Sequence, residues 1–285
     1  MKVVDTTDFE GFSPIFRGEK GRRRAEFVMR KLAIDKVNWV YDHSGSYTGA
    51  EFAGRLLNDV GVNYVVGNAE RLKMLPEGAF ITIANHPYGG LDGIILINMI
   101  AGIRPDYKLM VNELISRVKT MKENFIPVTP TGNKKKPITS VSINGIKETI
   151  RNLRNGHPVG FFPSGAVSDF SLREMRIRDR KWQDSILHVI HKMRVPVLPI
   201  RFFDLNSKFF YFLGLINWRI RTLRIPTELF NKRNQKSRIG IGNIVTVQEQ
   251  EKYNDPESLG DYLRRSVYEM PLPQIFVPHS LIQIP

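Results

Sequence analysis

Short apolar runs alternate with helical segments from about residue 64 to the end of the chain, and this alternation restricts the possible fold more than any other feature. Strand–helix alternation at this spacing favours an α/β architecture in which many strands pair in parallel. The predicted strands are Tyr64–Val66, Ala79–Ala84, Lys108–Val111, Phe125–Val128, Val159–Phe162, Val197–Phe202 and Ile239–Val247. We therefore expect an α/β fold with a mostly parallel central sheet flanked by helices.

Two of the helices outside these strands have clear ends. One is predicted near Ser140–Asn155, where large apolar residues recur at helical spacing and Gly156 stops the helix. Its predicted apolar face consists of Ile143, Ile146, Ile150 and Leu153. The other begins at Asp255, an N-cap residue that is followed by proline at the first helical position. The segment Asn133–Pro137 is expected to be an exposed loop.

The first seventy residues are predicted to be mainly helical. Basic residues are interspersed with a loose apolar face formed by Phe27, Val28, Leu32, Val37 and Val40. Thr48 and Glu51 have the spacing of a capping box at the start of a further helix. We expect an N-terminal helical region over residues 1–69 and a second domain over residues 70–285. The helical region either docks on a membrane or packs on the second domain.

The chain is strongly basic, with 42 Lys and Arg against 28 Asp and Glu and a formal net charge of +14. Such a charge favours a partner rich in phosphate or carboxylate, a description that fits both nucleic acid and an anionic membrane. The absence of cysteine excludes disulfides, a thiolate nucleophile and a zinc–thiolate site. The longest apolar stretches, Gly93–Ile103 and Phe209–Ile216, fall short of the roughly 20 residues that span a bilayer. We expect a cytoplasmic or peripheral protein without a secretory signal or a transmembrane helix.

The densest group of chemically active residues lies just after the predicted strand that ends near Ala84. His86 and Asp92 are separated by a loop that contains Gly89 and Gly90, and an apolar helix is predicted to start just after Asp92. The two glycines allow a tight turn that would return the carboxylate to the imidazole ring. A carboxylate on one ring nitrogen leaves the other nitrogen free to accept a proton from a hydroxyl group. The alternative is a histidine that only satisfies the loop backbone.

Longer sequence blocks around this loop resemble a known family. Asn85–Gly93 (NHPYGGLDG) resembles the first block of the glycerolphosphate/lysophospholipid acyltransferases, in particular the branch of bacterial hemolysin-like proteins and ornithine- or glycine-lipid O-acyltransferases. Glu123–Val128, Phe161–Ser168 and Val195–Ile200 resemble the second, third and fourth blocks and follow in family order. The resemblance covers roughly residues 70–245 and implies that residues 70–285 form an acyltransferase domain.

The resemblance also implies the chemistry of the site. It implies an acyl thioester donor, carried on acyl carrier protein or coenzyme A, and an acceptor hydroxyl, with no metal, no cofactor and no covalent enzyme intermediate. His86 would be the general base and Asp92 its partner. The residues implied in substrate binding are Asn85, Gly89, Gly90, Phe125, Pro127, Ser164, Gly165, Arg173 and Arg176. Backbone N–H groups near Gly165 are expected to stabilise the oxyanion.

Two departures from the family pattern bear on the acceptor. The catalytic spacing is His-x5-Asp rather than the usual His-x4-Asp, because Leu91 occupies the four-residue position. The third block reads Ser164–Val167 where the family has Glu-Gly-Thr-Arg, and the second block also lacks its arginine. Since an arginine fork is the natural partner of a phosphate, we expect a lyso-aminolipid acceptor. A 1-acylglycerol-3-phosphate acyltransferase is the alternative within this class.

Basic and aromatic residues are concentrated downstream of the third block. Arg173–Lys181 contains five basic residues, and Arg201–Arg224 contains seven aromatic residues beside several arginines. This mixture suits a membrane interface, where rings lie at headgroup depth, and also single-stranded nucleic acid. We favour an anionic membrane, at the cytoplasmic face of the inner membrane, over nucleic acid, and expect alternate residues of the segment to be core. A non-enzymatic basic binding module is the alternative from another functional class.

Overall fold

The computed structural model describes residues 3–11, 13–113, 115–129 and 139–282. The loop predicted over Asn133–Pro137 lies outside these residues. The strands are β1 (Asn63–Gly67), β2 (Ile81–Ala84), β3 (Lys108–Asn112), β4 (Phe125–Val128), β5 (Val159–Phe161), β6 (Asp169–Ser171), β7 (Arg176–Arg178), β8 (Val197–Phe202), β9 (Lys236–Ile241) and β10 (Phe276–Pro278).

Eight of these strands form one sheet within the described part of the chain, in the order β10-β1-β9-β8-β2-β5-β3-β4. Five of its seven strand pairs are parallel, and only β1–β10 and β8–β9 are antiparallel. The prediction of an α/β fold with a mostly parallel sheet is confirmed. The strands β6 and β7 form a separate antiparallel hairpin, which was not predicted.

Helices pack on both faces of the sheet. They are α1 (Thr6–Glu10), α2 (Gly18–Lys31), α3 (Ile34–His43), α4 (Gly49–Val60), α5 (Gly90–Leu96), α6 (Ser140–Arg154), α7 (Asp184–Met193), α8 (Lys208–Ile216), α9 (Trp218–Leu223), α10 (Ile225–Asn231), α11 (Val247–Gln250) and α12 (Pro256–Tyr268). Side chains of β2 alternate between the two layers. Phe80 and Ala84 join the core formed with α4 and α5, and Ile81 and Ile83 join the core formed with α7 and α12.

The first seventy residues are mainly helical, as predicted. The predicted apolar face of Phe27, Val28, Leu32, Val37 and Val40 is wrong in part, because it is divided between α2 and α3 and Phe27 is 54% exposed. Phe9, Ala25, Met29 and Ile34 form a small cluster of their own, whereas α4 contributes to the main core. The boundary between residues 69 and 70 stays a prediction, although β1 lies before it and belongs to the sheet. In the described ranges, no helix has the length and apolar character needed to cross a membrane.

The predicted capping box at Thr48 is wrong. Thr48 occupies the N-cap position of α4, but its side chain makes no capping hydrogen bond. The physical reason is the next residue: Gly49 has a positive φ of 55°, whereas a capping box requires helical geometry at the first position. The helix therefore begins where predicted but by a different turn.

The predicted buried face of α6 is also wrong in part. Ile143 is 43% exposed, and the buried residues are Ser142, Gly145, Thr149, Asn152 and Leu153. A Cβ atom on Gly145 would lie only 2.6 Å from a methyl carbon of Val128 and 2.7 Å from the carbonyl oxygen of Pro127. Small residues thus let the helix backbone approach β4 closely, and the isoleucines are displaced to the sides of the contact.

The predicted strand Ile239–Val247 ends early, at Ile241. Val245 forms only an isolated bridge to Val197. Thr246 then caps α11, where its hydroxyl accepts the backbone N–H of Glu249 and the Glu249 carboxylate accepts the backbone N–H of Thr246. A capping box therefore competes with strand extension at this point.

Candidate active site

The loop that carries His86 leaves the carboxyl end of β2, which lies between β5 and β8 in the sheet. Asn85 fixes the start of this loop on β8: its side-chain amide donates to the carbonyl of Phe202 at 2.9 Å and accepts the N–H of Phe202 at 2.8 Å. The Asn85 amide is therefore occupied by backbone. This corrects the expectation that Asn85 binds substrate, since its contacts position the loop instead.

His86 and Asp92 are brought together. Nδ1 of His86 lies 2.7 Å from Oδ2 of Asp92, and the same oxygen accepts the backbone N–H groups of Tyr88 at 2.9 Å and Gly89 at 3.0 Å. Helix α5 begins at Gly90 and not after Asp92 as predicted, so the carboxylate lies in the first helical turn. There it caps the helix N-terminus and contacts the imidazole at once.

Glycine is required in the turn before α5. Gly89 has φ 91° and ψ −124°, a conformation that side-chain-bearing residues rarely adopt. A Cβ atom on Gly89 would also approach Ile225 to 3.2 Å. A Cβ on Gly90, in contrast, would meet nothing within 4 Å. The open space above the loop is therefore next to Gly90.

The electrostatics of the pair are set by burial. Burial raises the pKa of Asp92 above its ordinary value of 3.8, against the opposing effects of His86 and the N–H groups of Tyr88 and Gly89. The Asp92 side chain is 0% exposed and the His86 side chain 16% exposed, and Nδ1 of His86 is buried. The contact is short, although Nδ1 of His86 does not meet the geometric criteria of a hydrogen bond.

Phe162, which follows β5, holds the imidazole ring from the third block. The two rings stack with centroids 4.0 Å apart and an interplanar angle of 22°. Sequence analysis did not assign a role to Phe162, although it lies in the third block beside Ser164. The contact fixes the plane of the ring at the site where a hydroxyl would approach.

Asp179 is a second buried carboxylate at the site, and sequence analysis missed it. Oδ1 of Asp179 accepts the backbone N–H of His86 at 3.2 Å and the hydroxyl of Ser168 at 2.6 Å, and Oδ2 is 3.4 Å from the indole nitrogen of Trp182. Burial raises the pKa of Asp179, against the hydrogen bond from Ser168 and the N–H of His86. No spacing motif connects Asp179 to His86, so only the folded chain reveals the contact.

The third block forms a tight turn around Gly165, which has a positive φ of 62°. The N–H of Gly165 donates to the carbonyl of Phe162 at 2.9 Å, and the hydroxyl of Ser164 donates to the carbonyl of Ala166 at 2.8 Å. Both predicted groups are thus used inside the turn. Among the backbone N–H groups near Gly165 that were expected to stabilise the oxyanion, that of Gly165 already has an acceptor, and the role of its neighbours stays a prediction.

The remaining predicted residues do not meet His86. Phe125 and Pro127 lie on β4, three strands from β2, which at the usual spacing is about 14 Å. Phe125 is buried in the core. Arg176 and Arg173 lie on the exposed hairpin formed by β6 and β7, where Arg176 pairs with Glu174 at 3.2 Å.

Helices α8 and α9 brace the loop from the other side. The hydroxyl of Tyr211 donates to the carbonyl of Pro87 at 2.9 Å, and Asn206 donates to the carbonyl of Tyr88 at 3.2 Å. Arg221 is buried, pairs with Asp169 and donates to the carbonyl of Ser168 at 3.1 Å. The His86–Asp92 loop, which we call the catalytic loop after its predicted role, and the third block are therefore both attached to this helical hairpin.

A histidine on a buried carboxylate, at the carboxyl end of a central parallel strand, is the arrangement expected of a hydroxyl-activating transferase. The chain belongs to the acyltransferase family, whose sequence model, described as Acyltransferase, matches residues 22–271. The predicted resemblance is confirmed and the protein is an enzyme, so the alternative of a non-enzymatic binding module is wrong.

Two related enzymes and one solved structure are similar to this chain over most of its length. The chain is 24% identical over 252 residues to the lyso-glycine lipid O-acyltransferase of Bacteroides thetaiotaomicron, an alignment that covers 86% of this chain and 88% of that protein. It is 23% identical over 275 residues to the lyso-glycine lipid O-acyltransferase of Phocaeicola vulgatus, covering 92% and 94%. Its fold is similar to that of the 1-acyl-sn-glycerophosphate (LPA) acyltransferase PlsC from Thermotoga maritima, with a TM-score of 0.50, 16% identity and 86% of each chain covered.

Proposed function

We propose that this acyltransferase transfers a fatty acyl group from an acyl thioester to the hydroxyl of a lyso-aminolipid of the glycine- or ornithine-lipid type. The observation that carries the proposal is the contact between His86 and the buried Asp92 at the carboxyl end of β2. The two lyso-glycine lipid O-acyltransferases, which align over most of both chains, support the acceptor class. The enzyme would act as a peripheral protein on the anionic cytoplasmic face of the inner membrane.

The reaction follows from the state of the histidine. Asp92 holds Nδ1, so Nε2 of His86 is the nitrogen that accepts the proton of the acceptor hydroxyl. The hydroxyl oxygen attacks the thioester carbonyl, and the negative charge of Asp92 stabilises the imidazolium that forms. When the tetrahedral intermediate collapses, the C–S bond breaks and the imidazolium returns its proton to the departing thiolate. This chemistry needs neither a metal nor a covalent enzyme intermediate.

The charges around the third block support an acceptor without phosphate. A buried phosphate is poorly held unless a bidentate group pairs with it. Arg221 is already paired with Asp169, and both Arg176 and Arg178 pair with Glu174. Among the arginines of the third-block hairpin, Arg173 is exposed and remains the candidate for the headgroup carboxylate. A single carboxylate requires fewer donors than a phosphate monoester.

The test is a competition between acceptors. Purified enzyme is given a labelled acyl thioester, on acyl carrier protein in one series and on coenzyme A in the other, with lyso-glycine lipid, lyso-ornithine lipid and lysophosphatidic acid together. We expect the aminolipids to have the higher kcat/KM. A clear preference for lysophosphatidic acid would establish the alternative, a 1-acylglycerol-3-phosphate acyltransferase. No acyl transfer to any of the acceptors would reject the proposal.

A further inference from the structure

Helices α8 and α9 form a short hairpin with one buried and one exposed face. On the buried side, Phe210 and Tyr211 are almost fully enclosed, and Gly214 lies against Arg221. On the other side, large apolar side chains are between 47% and 61% exposed. We call this surface the α8–α9 face; it consists of Phe209, Phe212, Leu215, Ile216, Trp218, Ile220 and Leu223.

These exposed apolar side chains are the reverse of what is expected for a helical hairpin that faces only water. A helix on the outside of a globular protein normally turns its charged face to water. A contiguous cluster of exposed large apolar residues marks an interaction surface. The α8–α9 face therefore has an occupant.

The charges around the face indicate which occupant. No Asp or Glu occurs between Asp204 and Glu228, whereas Lys208, Arg219 and Arg224 fall in this interval, in addition to the buried Arg221, which is paired with Asp169. Arg219 lies over the ring of the exposed Trp218, with its guanidinium 5.6 Å from the ring centroid. Rings at headgroup depth beside arginines fit an anionic lipid surface.

The lengths of α8 and α9 limit how deeply the hairpin can enter a membrane. Helix α8 has nine residues and α9 has six, both far shorter than a membrane-spanning helix. Amphipathic helices of this kind lie in the plane of the interface with their apolar side chains among the acyl chains. We infer that the α8–α9 face inserts into the interfacial region of an anionic bilayer, between the headgroups and the acyl chains. This insertion would hold the catalytic loop at the membrane surface.

The position of the face gives the inference its functional content, which rests on the proposed lysolipid acceptor. The hydroxyl of Tyr211, on α8, donates to the carbonyl of Pro87 in the catalytic loop at 2.9 Å. A Cβ atom on Gly89 would lie 3.2 Å from Ile225, directly after α9. A bilayer in contact with the α8–α9 face would therefore be separated from the His86 loop by one layer of helix, roughly 10 Å, so that an acceptor headgroup could extend to the imidazole while its acyl chain stays in the lipid.

The test measures vesicle binding without catalysis. In the inactive His86→Ala background, a triple variant with Phe209→Ser, Phe212→Ser and Trp218→Ser is compared with a control triple variant, Met74→Ser, Ile275→Ser and Leu281→Ser. The control residues are also large and apolar, are between 61% and 76% exposed and lie outside the hairpin. Binding is measured by flotation with vesicles of phosphatidylglycerol and phosphatidylcholine, and folding by circular dichroism.

We expect the control to bind like the parent and the face variant to lose affinity on the order of 100-fold. Equal binding by both triple variants would overturn the inference. So would a dimer that the face variant dissociates while vesicle binding is unchanged, because a second copy would then cover the face. Since no acyl donor is present, failure of the proposed acyl transfer would leave the binding result intact, and the two proposals fail separately.

Discussion

The backbone N–H of His86 donates to Oδ1 of Asp179 across 3.2 Å, although the two residues are 93 positions apart in the chain. The histidine is thus held by two buried carboxylates: Asp92 contacts its ring and Asp179 its main chain. Both carboxylates have a raised pKa because both are removed from water. The site therefore contains two carboxylates whose charged form is destabilised by burial. Substitutions at and beside each of them separate their contributions.

His86→Ala is expected to lower kcat of acyl transfer by about 10²–10⁴-fold, the usual contribution of a general base. The matched control is His157→Ala, because His157 also contacts a carboxylate, Asp106, at 2.8 Å. That pair is partly exposed and precedes β5, so it lies at the amino end of the parallel strands, opposite the carboxyl end that carries His86, and kcat should not change. Equal losses in the two variants would argue against a specific role for His86.

Asp92→Asn is expected to lower activity, less completely than His86→Ala, because the amide cannot stabilise the imidazolium by charge. The same substitution should increase the free energy of unfolding, although it lowers activity. The folded protein binds the Asp92 proton more strongly than the unfolded chain, so ionisation of Asp92 lowers stability as the pH rises above 3.8. Asparagine does not ionise.

The free energy of unfolding of the Asp92→Asn variant, relative to that of the parent, should therefore increase as the pH rises above 3.8. The increase is about 1.4 kcal/mol for each unit by which the pKa is raised. Urea denaturation at several pH values between about 4 and 7 measures it. A stability difference that does not depend on pH would show that Asp92 titrates normally.

Ser168→Ala removes the hydroxyl that donates to Asp179 at 2.6 Å and leaves this buried carboxylate with fewer donors. We expect a loss of about 1–3 kcal/mol in the free energy of unfolding. If Asp179 positions His86, kcat should also fall several-fold at a temperature where the variant is fully folded, with KM unchanged. Ser171→Ala, on the hairpin of β6 and β7, is the control. A lower melting temperature with unaltered kcat would limit Asp179 to a structural role.

Phe162→Leu keeps an apolar side chain but removes the ring that stacks on His86 at 4.0 Å. We expect kcat to fall by roughly tenfold, since loss of ring orientation affects a proton transfer that depends on geometry. Phe162→Tyr preserves the stack and should retain most of the activity. Similar kinetics in the leucine and tyrosine variants would mean that the stack does not orient the imidazole.

The sheet and the position of the loop between His86 and Asp92 were predicted well from the sequence, because both depend on local patterns. Apolar runs mark β2 and β8, and the glycines between His86 and Asp92 mark the turn. The start of α5 was misplaced, since Asp92 acts as a cap inside the first turn, a role that needs the backbone N–H groups of Tyr88 and Gly89.

Contacts between residues far apart in the chain were harder to predict from the sequence. Asn85 belongs to a motif, so it was assigned to substrate, yet its amide is occupied by Phe202, which is 117 residues away. Asp179 was overlooked because it lies among five basic residues that suggested a charged surface. The expectation that alternate aromatic residues are core was right only in part. Phe202, Phe210 and Tyr211 are buried and Phe209, Phe212 and Trp218 are exposed, because burial in α8 follows helical spacing and not strict alternation.

The attachment of α8 to the catalytic loop through Tyr211 and Pro87 has a kinetic consequence. An enzyme seated on lipid through this hairpin meets its acceptor by lateral diffusion, so the relevant concentration is the mole fraction of acceptor in the plane of the membrane. Adding inert phospholipid at a fixed bulk amount of acceptor would then slow the reaction, whereas diluting the vesicles and enzyme at a constant concentration of acyl donor would change the turnover of bound enzyme little. The acyl donor arrives from the aqueous phase, and its concentration would still count by volume.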